Sequence, residues 1–103
     1  TGMPFHSSVS VSKGGIEGLT RSLAAELAPN ISVNAIAPSI TNTPLAEKFL
    51  NSESKMDRAK ERHPLKKIGS PVDIANCVIF LLKNSWITGQ IIGIDGGIGS
   101  LKI

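Results

Sequence analysis

Two short apolar segments with the character of β-strands stand far apart in this sequence, and they constrain the fold more than any other feature. Residues 31–36 read I-S-V-N-A-I and are followed by Pro38, which should stop the strand. Residues 90–94 precede the turn-forming run D-G-G. Helical patterns separate the two segments. Strands joined through helices pair in parallel, so the sequence predicts an α/β protein with a parallel sheet.

The remaining sequence predicts helices. Residues 10–27 repeat apolar side chains every three to five positions among alanines, which indicates an amphipathic helix. Residues 45–62 are charged and weakly periodic, and we expect one or two exposed helices there. Ser70 can cap a further helix with Pro71 at its first position and Asp73 in its first turn. With that helix ending near residue 83, the order is helix, strand, helix, helix, strand.

Two strands are too few for a parallel sheet, because both faces and both edges of the sheet need partners. The pattern G-x-G-x-x-G, which binds pyrophosphate in dinucleotide folds, does not occur. Gly14, Gly15 and Gly18 fall inside the first predicted helix, where small residues permit a neighbouring helix to pack closely. We therefore expect the rest of the sheet, and the pyrophosphate-binding half, to lie in a preceding part of the protein.

Composition excludes several classes of function. A hydrophobic content of 41% with 18% charged residues is ordinary for a globular domain. The net charge of +3 includes basic residues at 55–67 that alternate with acidic ones and lack aromatic neighbours, so we favour a solvated helix surface over a phosphate-binding patch and expect no nucleic-acid partner. Cys77 is the single cysteine, in an apolar stretch, and reads as a core residue. No apolar run reaches the ~18 residues of a membrane span, so we expect a cytoplasmic protein without a membrane partner, and we predict no metal site.

Three consecutive blocks resemble the short-chain dehydrogenase/reductase family. They are S-V-S-K-G-G-I-E-G-L-T-R-S-L-A-A-E-L at 10–27, I-S-V-N-A-I-A-P at 31–38 and I-T-G-Q-I-I-G-I-D-G-G at 87–97. The resemblance implies that residues 1–103 are the C-terminal half of one dinucleotide-binding oxidoreductase domain, and that the sheet is part of a doubly wound, Rossmann-type fold. It also implies NAD or NADP as cofactor, a small carbonyl or alcohol substrate, and a homo-oligomer, either dimer or tetramer.

The resemblance places Lys13 at the family's active-site lysine. In the family, a tyrosine four residues earlier is the general acid/base, but this position is Val9 and the chain contains no tyrosine. We expect Lys13 to hydrogen-bond the nicotinamide ribose hydroxyls, with an ordinary surface lysine as the alternative. His6 is a candidate replacement acid/base, because an imidazole transfers protons near neutral pH. A histidine without a catalytic duty is the simpler interpretation of His6.

The loop after the first strand is the other cofactor-binding element that the resemblance implies. In the family, its backbone amides and a threonine hydroxyl meet the nicotinamide carboxamide and the pyrophosphate. Ile40 and Thr43 match these positions, and plain turn formation is the alternative for Thr43. Ser39 replaces the family's usual glycine. Asn34 resembles an asparagine that holds this loop by hydrogen bonds, or is simply a polar strand residue.

Residues 45–67 correspond to the family's variable lid over the substrate. We expect His63, within this lid, to lie at the surface, and we expect the D-G-G run at 95–97 to be structural. Two hypotheses of different class follow for the whole molecule. The full-length protein transfers hydride, with the fragment by itself inactive, or it is a cofactor-binding pseudoenzyme or scaffolding subunit that lacks the tyrosine acid/base.

Overall fold

The structure, a computed structural model, describes the backbone of residues 6–101 and the side chains of residues 12–101. The elements confirm the predicted order, with the charged segment forming two helices. They are α1 (His6–Leu27), β1 (Ala35–Pro38), α2 (Glu47–Leu50), α3 (Glu53–Arg62), α4 (Pro71–Lys83) and β2 (Ile91–Ile94), with a 3-10 turn at Pro44–Ala46 before α2.

The strands β1 and β2 pair in parallel. The backbone N–H of Ala35 donates to Gln90 O at 2.9 Å, and four residues further along both segments Ser39 N–H donates to Ile94 O at 3.3 Å. The strand β1 includes Pro38, although the sequence predicted that the strand would end before this proline. Backbone N–H groups alternate in direction along a strand, so the position before Ser39 points away from β2 and loses no bond to it by being proline.

The start of β1 also differs from the prediction of residues 31–36. Polar side chains take the place of backbone partners just before the strand. Val33 N–H donates to the Thr88 hydroxyl at 3.0 Å, and the Asn34 amide oxygen accepts from Gln90 N–H at 3.0 Å. The alternation of apolar side chains predicted a strand there, whereas these side-chain bonds replace the regular ladder.

The first turn of α4 forms the cap that the sequence predicts. The Ser70 hydroxyl accepts from Val72 N–H at 3.2 Å, and the Asp73 carboxylate accepts in return from Ser70 N–H at 2.8 Å. This reciprocal pair satisfies two donors that a helix start leaves without intrahelical partners. It explains why α4 begins at Pro71, as predicted.

The chain divides into two compact units, one containing α1 with residues 84–91, the other containing α2, α3 and α4 with residues 92–101. Among the residues whose side chains are described, the fully buried apolar ones are Ala24 in the first unit and Ala59 in the second. Large apolar side chains remain exposed, including Leu45 at 92% and Trp86 at 97%. Within residues 6–101, no helix has the length and apolar character required to cross a bilayer.

Candidate functional site

The loop 39–43 leaves the carboxyl end of β1 and is held against Gly69. Gly69 N–H donates to Ile40 O at 3.2 Å, and Asn42 N–H donates to Gly69 O at 2.8 Å, which forms an isolated parallel bridge centred on Thr41. A β-carbon on Gly69 would stand 3.2 Å from the Thr41 hydroxyl, so the two segments approach closely. Ligands of doubly wound folds bind beyond the carboxyl ends of the strands, which is where this loop lies.

Thr43 ends the loop with an available hydroxyl. Its backbone is extended, with φ −131° and ψ 163°, and its carbonyl accepts from Ala46 N–H at 3.0 Å to open the 3-10 turn. The side chain is half-buried and makes no hydrogen bond to any residue in the described part of the chain. A fixed backbone with an unused hydroxyl is what a polar ligand contact requires.

Ser39, at the start of the loop, is bonded through three groups. Its N–H donates to Ile94 O, its carbonyl accepts from the Thr41 hydroxyl at 3.0 Å, and its own hydroxyl lies 2.8 Å from His63 Nε2. The His63 Nδ1 atom in turn lies 2.6 Å from Ala59 O. The opening residue of the loop is therefore tied to the end of α3.

The expectation that His63 lies at the surface is wrong. The residue is 2% exposed and is one of the few buried polar groups in the described chain. It stands at the end of α3, where its N–H donates to Lys60 O at 3.1 Å, and the ring turns inward because both of its nitrogens find partners there. Neighbouring charges in the sequence suggested exposure, whereas the pairing depends on Ser39, which lies 24 residues away.

The D-G-G turn after β2 has the structural role that was predicted. The two carboxylate oxygens of Asp95 accept from Gly97 N–H at 3.0 Å and Gly99 N–H at 3.3 Å. Gly96 and Gly97 have φ values of +62° and +92°, a region that favours glycine. Gly96 O also accepts from Leu65 N–H at 3.0 Å, which ties the turn to the segment after α3.

A cavity of about 610 Å³ lies within the second unit beside this loop. Ser39, Ile40, His63 and Asp95 are among the residues that line it. Of the predicted site residues whose side chains the structure describes, Ile40 lines this cavity. The cavity thus joins the candidate cofactor loop to the buried histidine and the D-G-G turn.

Asn34 makes two side-chain hydrogen bonds, but neither reaches the loop 39–43 that the resemblance expected it to hold. Its amide nitrogen donates to Ile87 O at 3.2 Å, and its amide oxygen accepts from Gln90 N–H at 3.0 Å. Both bonds fix the segment that leads into β2. Asn34 therefore stabilises the strand pair whose carboxyl end carries the candidate loop.

Lys13 lies on α1 in the first unit, and its side chain is exposed. Ile40 and Thr43 lie together in the second unit. The helix α1 begins at His6, four residues earlier than the predicted start at residue 10. The side chains of His6 and Val9 lie outside the described ones, so the expectations for these two residues stay predictions.

Four of the five basic residues in the charged segment 45–62 line one cavity beside α2 and α3. This second cavity, of about 390 Å³, is lined by Lys48, Phe49, Lys55, Arg58, Ala59 and Arg62. The acidic residues of α3 follow a different line, at positions 53, 57 and 61. The four basic side chains are exposed, as a solvated surface requires, although their charges are less mixed than the sequence suggested.

Comparison with known proteins defines the class to which this fold and loop belong. A sequence model of the family described as enoyl-(acyl carrier protein) reductase matches residues 1–99. The chain belongs to the short-chain dehydrogenase/reductase family, which confirms the resemblance and the partial Rossmann-type fold.

Individual relatives are similar across most of this chain. The 3-oxoacyl-(acyl-carrier-protein) reductase FabG of Thermotoga maritima is 42% identical over 100 residues, which cover 94% of the chain and 40% of the relative. The structure of ElxO with NADP bound is 34% identical, with a TM-score of 0.84. The match covers 98% of this chain and 42% of ElxO. The complex of 4-hydroxyisoleucine dehydrogenase with NADH is 35% identical, with a TM-score of 0.82. The match covers 89% of this chain and 39% of that dehydrogenase. The chain thus spans about 40% of the length of the proteins it matches.

Proposed function

We propose that residues 1–103 are the C-terminal half of one dinucleotide-binding oxidoreductase domain. The full-length protein transfers hydride between NAD or NADP and the carbonyl or alcohol carbon of a small substrate. Matched structures that carry NADP or NADH support this proposal. The sheet has only two strands among the described residues, and many large apolar side chains of the helices and loops are exposed, which also supports it. The 103-residue fragment is inactive by itself, because the phosphate-binding half of the domain is not in it.

The observation that carries the proposal is the loop 39–43. It lies at the carboxyl end of a parallel strand, its backbone is fixed by bonds to Gly69, and the Thr43 hydroxyl has no partner among the described residues. These features fit the nicotinamide and pyrophosphate end of a dinucleotide. Ile40 binds through its backbone and Thr43 through its hydroxyl, while Lys13 hydrogen-bonds the ribose hydroxyls with its ammonium group.

The chemistry of the reaction divides between the cofactor and the chain. Bound nicotinamide supplies or accepts the hydride, and the protein must supply or accept a proton at the substrate oxygen. Valine at position 9 has no group that can do so. Lys13 still orients the ribose and favours negative charge near the substrate oxygen through its own positive charge.

A cofactor-binding pseudoenzyme or scaffolding subunit is the second candidate function, and the valine at position 9 favours it. Retained Lys13 and Thr43 beside a lost acid/base are expected of a protein that binds the cofactor without turnover. Under either function we expect a cytoplasmic homo-oligomer, dimer or tetramer. A third possibility is that His6 supplies the proton instead of the missing tyrosine.

The test uses the full-length natural protein. NADH and NADPH are titrated by fluorescence, and turnover is followed at the nicotinamide absorbance band with a panel of ketones, aldehydes and alcohols. Saturable binding with turnover supports the oxidoreductase, and binding without turnover supports the pseudoenzyme. If neither cofactor binds, the oxidoreductase and the cofactor-binding pseudoenzyme are both wrong, and only a scaffolding subunit is left. If turnover occurs, His6→Ala should abolish it at unchanged cofactor affinity, and undiminished turnover would exclude the His6 mechanism.

A further inference from the structure

The hydrogen bonds of His63 define which of its nitrogens carries the proton. A backbone carbonyl can only accept, so the 2.6 Å contact with Ala59 O requires a proton on Nδ1. In the neutral ring the Nε2 atom is then a bare acceptor, and the Ser39 hydroxyl at 2.8 Å donates to it. The ring is 2% exposed, its bond to Ala59 O is buried and its bond to Ser39 is partly buried, so loss of either partner would leave a poorly solvated nitrogen.

The hydrogen bond between Ser39 and His63 holds in place a residue that differs from the family's usual one. Ser39 stands where the family usually has glycine, at the first position of the loop that carries Ile40 and Thr43. With its N–H, carbonyl and hydroxyl all bonded, Ser39 has little freedom to rotate. The direction in which the loop leaves β1 therefore depends on where the His63 ring stands.

The position of the His63 ring depends on α3. His63 is the residue at which this helix ends, and its N–H bonds back to Lys60 O while its ring bonds to Ala59 O. By resemblance, α3 belongs to the lid over the substrate. One partly buried hydrogen bond thus joins the end of the lid helix to the start of the candidate cofactor loop.

We propose that His63 is a positioning residue that acts through the Ser39 hydroxyl to hold the loop 39–43 in its cofactor-binding conformation. The pair couples the placement of the lid helix α3 to the placement of the nicotinamide. This inference rests on the proposed function, and it adds a residue of the lid to the determinants of cofactor affinity. Truncating Ser39 removes the tie and leaves His63 Nε2 buried without its donor.

The experiment compares four variants of the full-length natural protein. Ser39→Ala removes the hydroxyl, and Ser39→Thr keeps one that can still donate. Ser100→Ala is a matched control, because Ser100 lines the same cavity and its hydroxyl bonds no described residue. Ala25→Gly weakens α1, which carries neither residue of the Ser39–His63 pair, so it controls for loss of stability alone. The dissociation constants of NADH and NADPH and the thermal midpoint are measured for each variant.

We expect Ser39→Ala to raise the dissociation constant of the preferred cofactor by about tenfold. A change of this size corresponds to the free energy of one hydrogen bond, here the bond between Ser39 and His63. If the protein turns over, KM for the cofactor should rise more than kcat falls. Ser39→Thr and Ser100→Ala should stay within about twofold of the natural protein, and Ala25→Gly should lower the midpoint at unchanged affinity.

Two results would overturn the inference while leaving the proposed function standing. One is that the natural protein and the Ser39→Ala variant have the same dissociation constant for the cofactor. The other is an Ala25→Gly variant that loses as much affinity as Ser39→Ala at the same loss of thermal midpoint, which would make the effect a general loss of stability. A natural protein that binds neither cofactor would instead overturn the proposed function, and the inference with it.

Discussion

At the scale of single residues, the proton-transfer group is the point on which activity depends. Position 9 stands one helical turn before Lys13, and in the family the side chain there is a phenol whose pKa the lysine ammonium lowers. The lysine is retained in this chain and valine takes the place of the phenol. A site that lacks only this one group should recover when the group is supplied.

We predict that Val9→Tyr in the full-length protein raises kcat by about 10²-fold or more, the usual contribution of a positioned general acid/base. The measurement is nicotinamide oxidation with the substrate panel described above. Val11→Tyr is the control, because it places the same phenol on another side of α1. Equal rates for the natural protein and both variants would mean that more than the tyrosine has been lost.

The residues of the candidate site differ in how far the sequence could predict them. Ile40 and Thr43 could be proposed from the sequence because they follow a recognisable strand and loop in a family motif. No local signal indicated the burial of His63, because its partner Ser39 is 24 residues away and its neighbours are charged. Burial that depends on a distant polar partner is not encoded in a local pattern.

At the scale of elements, local side-chain chemistry determined which boundaries were predictable. The helix α4 begins at Pro71 and ends at Lys83 as predicted, because its cap is formed by residues within three positions of each other. The strand β1 was misplaced, because the bonds that delay its start come from Thr88 and Gln90 at the far end of the chain. A cap formed by neighbouring residues can be recognised in a sequence, whereas a hydrogen bond between residues 55 positions apart cannot.

We predict that Ser70→Ala lowers the free energy of unfolding by about 1 kcal/mol, because Val72 N–H loses its acceptor at the start of α4. Urea unfolding of the full-length protein, followed by circular dichroism, measures the change. Ser85→Ala is the control, since Ser85 is exposed between α4 and β2 and its hydroxyl bonds no described residue. Equal losses for the two variants would show that the cap contributes nothing specific.

At the scale of the whole molecule, the described chain leaves much apolar surface uncovered. Its buried apolar side chains are Ala24 and Ala59, while Leu82 is 80% exposed and Trp86 97% exposed. So many exposed large apolar side chains beside so few buried ones indicate that further structure covers them. The glycines of α1 give a way to test that idea, because a β-carbon on Gly14, Gly15 or Gly18 would meet nothing within 4 Å among the described residues.

We predict that Gly18→Ala changes stability with opposite sign in the 103-residue chain and in the full-length protein. In the chain, the alanine should stabilise α1 by about 0.5–1 kcal/mol through helix propensity. In the full-length protein, a helix packed against this face would be displaced, at a cost of about 1–3 kcal/mol. Chemical unfolding of both proteins measures the two values, and Ser22→Ala, at an exposed position of α1, should have the same sign in both. Stabilisation in both proteins would contradict a helix packed on the glycines.

The central claim is that residues 1–103 complete a nicotinamide-binding domain. Native mass spectrometry of the natural protein, purified with NAD(H) or NADP(H) present, tests it most directly. The account predicts a polypeptide about 2.5 times as heavy as the 10.8 kDa of this chain, because the chain spans 40% of its Thermotoga relative, with one cofactor bound per subunit. A polypeptide of 10.8 kDa that carries no cofactor would contradict the account and leave only the family membership.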